Sequence, residues 1–184
     1  WMAEVSVTQR LWEAVAGSNP SEFKGADRPV EQVSWSDCDG WLRKANSMTG
    51  GLNLRFPTEA EWECAASAGM LGKRHLYAGS DVWGEVGWFG QNQTSPVMQQ
   101  RPNAWGLYDM SGSVWEWTQD LYSSSYYLAA GRTDPAGPTS GTEYVIRGGA
   151  WFQLFDSERV AARNYGPPTG RNDGLGIRLG RTAP

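Results

Sequence analysis

The run Asn103-Ala104-Trp105-Gly106-Leu107-Tyr108-Asp109-Met110-Ser111-Gly112-Ser113-Val114-Trp115-Glu116-Trp117 constrains this chain more than any other stretch. Tryptophans at alternate positions, a carboxylate at each end and glycines between them describe a turn that is both packed and hydrogen-bonded. Such a centre commits the chain to a looped, aromatic core. Composition agrees, with 23 Gly, 10 Pro and 11 Trp but only 20% charged residues among 184. These numbers describe a loop-rich chain whose core is built from large rings rather than long aliphatic helices. A chain of this length buries roughly two-thirds of its unfolded surface as one domain, and 1–184 reads as a single domain.

The pattern around that centre is mixed. Residues 8–15 read as a short helix capped by Ser6 or Thr8 and stopped by Gly17. A second helix is predicted from 36 to 48, with Trp41, Leu42, Ala45 and Met48 on one face and Gly50-Gly51 ending it. Thr58 and Glu61 form a capping box for a third, running through Trp62, Ala65 and Ala66 to Gly69. Beyond Gly69 the helical period disappears, and short strands are expected at 86–89, 114–118, 144–147 and 175–180. Composition and pattern alone therefore say α+β.

Several function classes drop out on the same grounds. The net charge is −4 and Lys and Arg do not cluster, which argues against a nucleic-acid partner. No apolar stretch reaches the length of a membrane helix. The opening Trp1-Met2-Ala3-Glu4-Val5 reads as the middle of a strand, so any leader or anchor would precede it. Cys38 and Cys64 each fall inside a predicted helix and read as two buried, inert thiols. A single histidine, His75, excludes a multi-histidine metal site.

Three blocks, in order, carry a family resemblance: Arg55-Phe56-Pro57-Thr58-Glu59-Ala60-Glu61-Trp62-Glu63, the central run above, and Arg147-Gly148-Gly149-Ala150-Trp151. Together they resemble the formylglycine-generating enzyme (sulfatase-modifying factor) family across nearly the whole chain. The resemblance implies a variant of the C-type lectin fold: α+β, little regular structure, and a few helices on small twisted antiparallel sheets. It also implies an activity, oxidation of a substrate cysteine by a copper-holding cysteine pair. That pair lies between the glycine pair and a segment like Arg159-Val160-Ala161-Ala162-Arg163. Here the interval Ala150-Trp151-Phe152-Gln153-Leu154-Phe155-Asp156-Ser157-Glu158 contains no cysteine, and a thiolate is needed both to bind copper and to exchange with a thiol. A sulfoxide-making branch holds iron with three histidines, which one histidine does not supply. No copper or iron site is expected. A branch linked to pyoverdine maturation remains the enzyme alternative.

The family also includes non-catalytic variable proteins of diversity-generating retroelements, which use this fold as a display surface. On that resemblance, 147–178 is a candidate variable segment. The expected ligand contacts are Trp151, Phe152, Gln153, Phe155, Ser157, Tyr165, Thr169 and Asp173, because exposed rings give large contact area at low entropic cost. The bland alternative is that Phe152 and Phe155 fill the core. The partner would be a protein or cell-surface ligand, met at a cell surface or on a phage particle if a signal precedes this chain. A plainer role is a structural module of a larger surface protein.

The resemblance further assigns a structural calcium to Asp109, Gly112, Val114 and Glu116, two carboxylates and two backbone carbonyls. The alternative is a carboxylate pair satisfied by backbone N–H groups and a nearby Arg. Ser113 stands where the family usually has Asn. Arg163 and Arg178 read as framework arginines bonding loop carbonyls, and Gly148-Gly149 as a place of close backbone approach.

Overall fold

In a computed structural model, residues 1–69, 74–128, 133–153 and 156–182 are described. Helix α1 is Gln9–Ala16. The Thr8 hydroxyl accepts the Leu11 N–H at 3.3 Å, and Gly17 leaves the helix in the left-handed region at φ 89°. Helix α2, Trp35–Met48, is capped by Ser34: its hydroxyl accepts the Asp37 N–H and the Asp37 carboxylate accepts the Ser34 N–H, closing a capping box. Helix α3, Glu59–Ala66, starts at the expected box of Thr58 and Glu61.

Two expectations about helix faces are corrected. Cys38 is buried, but Cys64 is exposed. The buried stripe of α3 is Trp62, Ala65 and Ala66, and at about 100° per residue position 64 turns away from it. Met48 is 60% exposed, since packing on α2 ends at Ala45, one turn earlier.

The strands are β1 (Leu54–Arg55), β2 (Gly87–Trp88), β3 (Ser111–Gly112), β4 (Trp115–Leu121), β5 (Tyr144–Arg147), β6 (Asn164–Gly166), β7 (Leu175–Ile177) and β8 (Gly180–Arg181). Four of them form the main sheet in the order β6-β5-β4-β7. Antiparallel pairing holds for β4–β5, β5–β6 and β1–β8, whereas β4–β7 and β2–β3 run parallel. The parallel pairs follow from long crossovers, which bring a strand back in the same direction. The expected final strand at 175–180 splits in two: 175–177 joins β4, and 180–181 turns to pair with β1.

Period-two alternation along β4 sorts its two faces. Trp115 and Trp117 enter a core with Trp12, Trp41, Val30, Val33, Ile146 and Ile177. On the other side a smaller cluster gathers Trp62, Ala65, Ala66, Leu107 and Met110. The chain ends are zipped together. The Trp1 amino group donates to the Arg181 carbonyl at 2.9 Å, Arg181 N–H to the Trp1 carbonyl at 2.8 Å, and Ala3 N–H to the Leu179 carbonyl at 2.8 Å.

Candidate ligand-binding surface

The segment 147–178 is held from behind by buried charge. Arg147 ends β5 with its side chain fully buried, and its guanidinium donates to the Glu63 carboxylate, to the Ala162 carbonyl and, at 3.0 Å, to the Val160 carbonyl. The same group lies 5.2 Å over the Trp62 ring. Arg163 grips Glu59 through two bonds of 2.5 and 2.8 Å and reaches the Ser123 carbonyl. The three glutamates that open α3 are all paired: Glu59 chiefly with Arg163 and, at 3.6 Å, with Arg147, Glu61 with Arg55 and Glu63 with Arg147. Arg163 and Arg178 are framework residues, as expected, but each also neutralises a buried carboxylate.

The glycine pair does what its position predicts. Gly148 and Gly149 sit at φ 104° and 82°, and a Cβ on Gly149 would lie 2.4 Å from Glu158 Cγ. From there the backbone is stitched to the central turn: Gly112 N–H to the Gly148 carbonyl at 2.7 Å, Trp151 N–H to the Ser113 carbonyl at 2.9 Å.

Four of the expected contact residues come together on that base. The Trp151 indole donates to the Asp173 carbonyl at 3.0 Å. Its ring meets Phe23 edge-on at 5.2 Å and Phe152 edge-on at 5.1 Å. Phe152 is 45% exposed, so it does not fill the core; its ring covers Gly174, where a Cβ would come within 2.6 Å. Gln153 folds back, its side-chain oxygen accepting the Ala150 N–H at 3.2 Å.

The others lie elsewhere. Ser157 is half-buried beside Gly149. Tyr165, 44% exposed on β6, stacks on Tyr122 at 4.0 Å, with Arg163 over the rings of Tyr122 and Tyr127. Thr169 is exposed in a turn whose Pro168 carbonyl accepts the Ser36 N–H near the start of α2. Phe155 lies outside the described residues. Sequence reasoning missed Phe23, Tyr122 and Tyr127. For the tyrosines a signal existed, since Tyr122-Ser123-Ser124-Ser125-Tyr126-Tyr127 has the Tyr/Ser composition of binding loops. Phe23, alone in a polar loop, gave none.

Two buried carboxylates sit under this surface. Glu31 accepts the Phe23 N–H at 2.8 Å, and burial raises its pKa, with Asp173 and Glu22 adding repulsion. Glu158 is fully buried, neither oxygen has a hydrogen-bond partner among the described residues, and burial pushes its pKa up to about 7.

The four residues that the resemblance assigns to calcium lie in and around the central turn. Glu116 is fully buried, and its carboxylate accepts from the Ser6 hydroxyl at 2.6 Å, the Trp62 indole at 2.6 Å and Arg178 Nε at 2.9 and 3.1 Å. Asp109, also buried, accepts the Met98 N–H at 2.9 Å, and burial raises its pKa. The Arg178 guanidinium neutralises Glu116 directly. Both Glu116 oxygens are thus committed to donors, one of them a cation, which leaves this carboxylate a poor calcium ligand in this arrangement. Gly112 and Ser113 hold the turn at φ 85° and 68°, and Ser113 occupies a left-handed conformation better suited to Asn or Gly.

The whole chain, residues 1–183, matches the Sulfatase-modifying factor enzyme 1-like domain. It belongs to this family. It is 32% identical over 199 residues to the formylglycine-generating enzyme of Streptomyces coelicolor, covering 97% of this chain and 60% of that protein. The chain thus spans well under two-thirds of the enzyme's length. It superposes on Treponema denticola variable protein 1 with a TM-score of 0.88 at 30% identity, covering 97% of this chain and 82% of the other. PvdO from Pseudomonas aeruginosa is similar at TM-score 0.84 and 25% identity, covering 99% and 80%. The fold is the C-type lectin-like α+β fold of this sulfatase-modifying factor family, whose members include an enzyme and a variable protein. No helix among the described residues is long and apolar enough to cross a membrane.

Proposed function

We infer that this domain is a non-catalytic ligand-binding protein, and that 147–178 is a variable segment of the kind diversity-generating retroelements rewrite. One observation carries the reading. The segment divides into anchors and displayed positions: Arg147, Gly149, Glu158 and Arg178 are buried, while Phe152, Tyr165 and Thr169 are exposed. A segment whose surface residues can change while its anchors stay fixed tolerates diversification without unfolding. The similarity to a variable protein along nearly the whole chain supports it. The partner is a protein or cell-surface ligand, with Trp151, Phe152 and Asp173 forming one contact patch and Tyr165 with Tyr122 a second.

The test is to sequence the DNA flanking the gene. A near-copy of the stretch encoding 147–178, differing almost only at adenines and beside a reverse transcriptase, is expected. Without such a copy the diversification claim fails. A second reading, an enzyme of the family with its own chemistry, rests on Glu158, a buried carboxylate titrating near neutrality in the interval that the family resemblance gives to the cysteine pair. It predicts a tight, stoichiometric redox metal in the purified protein, and metal analysis finding none would count against it.

A further inference from the structure

Away from the displayed segment, α1 and α2 diverge around a cleft of about 520 Å³, within the range of roughly 300–1,000 Å³ typical of small-molecule sites. Its floor is Val33 and the edges of Trp12 and Trp41, whose rings stack at 5.5 Å and 10°. The Trp41 indole N–H is taken by the Trp12 carbonyl at 3.1 Å, so Trp41 offers the cleft carbon rather than a donor.

The wall includes Gly40, and this glycine has no packing reason to be one. It lies inside α2 without a positive φ, and a Cβ there would meet nothing within 4 Å. Glycine is a costly residue in a helix interior, and here its effect is to keep the aromatic floor open.

The rim carries unequal charge. Asp37, Gly40 and Lys44 share one face of α2 at helical spacing. Asp37 is fully engaged by Ser34 and by Arg171 Nε and Nη2 at 2.7 and 2.8 Å, and Arg171 before other causes lowers its pKa to about 2. That pair cancels, while the Lys44 ammonium has no partner among the described residues. The excess charge facing the cleft is therefore positive.

We propose that this cleft binds a small organic anion whose apolar body fills the space over Gly40, against the exposed edges of Trp12 and Trp41, and whose anionic group meets Lys44. The cleft shares Arg171 with segment 147–178, but none of its other lining residues belongs to that segment.

Three naphthalene probes test it by nitrogen–proton NMR on the intact chain: 1-naphthoate, neutral naphthalene and 1-naphthylmethylammonium. The expected result is a saturable shift with naphthoate, concentrated on the Trp41 indole and the Gly40 and Lys44 amides. Naphthalene should bind more weakly and the ammonium probe weakest. Gly40→Leu, which puts a strong helix former into open space, should abolish the shift. Lys44→Glu should weaken it at least about tenfold, and Phe152→Ala should leave it unchanged. Absence of saturable binding at millimolar naphthoate overturns the proposal. So does equal binding of the ammonium probe, or undiminished binding to a folded Gly40→Leu protein.

Discussion

Glu116 on β4 and Arg178, just beyond β7, are buried opposite each other, with Nε 2.9 Å from the carboxylate. The remaining donors of Arg178 go to the carbonyls of Ala3, Glu4 and Tyr108, so one guanidinium joins the first residues, the central turn and the end of the sheet. Removing one partner of such a pair leaves an uncompensated buried charge. Glu116→Gln is expected to cost about 3–5 kcal/mol in urea unfolding. Because Arg178 holds the place of a cation, adding calcium or EDTA should leave the melting temperature of the wild type unchanged. A calcium-dependent rise of several degrees would show an ion displacing the arginine.

Phe152 and Trp151 touch, yet the packing assigns them different work. Phe152→Ala should stay within about 1 kcal/mol of the wild type, a shift of about 2–4 °C at this chain length. Trp151→Ala removes a ring wedged between Phe23 and the Asp173 carbonyl and should cost about 3 kcal/mol. Equal losses measured by calorimetry would make Phe152 a core residue and remove it from the contact surface.

Glu158 links stability to pH. Its folded pKa, about 7, lies above its ordinary value of 4.5, so the folded state binds the proton more tightly than the unfolded one. Its favourable contribution is complete below about pH 4.5 and is lost as pH rises through 7. Glu158→Gln should therefore be more stable than the wild type at pH 8, by on the order of 1–3 kcal/mol. The gap should close toward pH 5. A pH-independent gap in urea midpoints would mean that Glu158 is ionised in the folded protein throughout.

Gly149 is fixed by two requirements at once. At φ 82° an alanine is strained by about 1–2 kcal/mol, and its Cβ would also press on Glu158. Gly149→Ala should cost at least about 2 kcal/mol by chemical denaturation, whereas Gly17→Ala, equally left-handed but with open space around it, should cost only the backbone strain. A smaller loss at 149 than at 17 would argue against the close approach.

What the sequence made legible was local. Caps at Thr8 and Thr58, the stop at Gly17 and the strand at 144–147 follow from neighbours a few residues apart. The Glu116–Arg178 pair was not legible, because Arg178 is 62 positions from Glu116 and no local pattern reveals which distant side chain arrives at a carboxylate. Cys64 was misplaced for a smaller reason: α3 is only about two turns long, and its buried face of Glu59, Trp62, Ala65 and Ala66 mixes a carboxylate and small residues around one ring. Of the expected contacts, Trp151, Phe152 and Asp173 converge in space, whereas Tyr165 packs with Tyr122, a pairing made by β6 reaching the sheet edge. Gly40 and Lys44 carry no local signal, because the cleft beside them is bounded by Ala16, Pro20 and Arg171 from other parts of the chain.

The reciprocal bonds between Trp1 and Arg181 make the chain's entry and exit a single point on the surface. A domain built this way can be spliced into a loop of a host protein with little closure penalty, because the insertion adds bulk without separating the loop's ends. The same geometry permits circular permutation of this domain: a short linker joining Trp1 to the residues after Arg181 and new ends opened in the exposed 139–142 stretch should leave the sheet, the displayed segment and the cleft as they are.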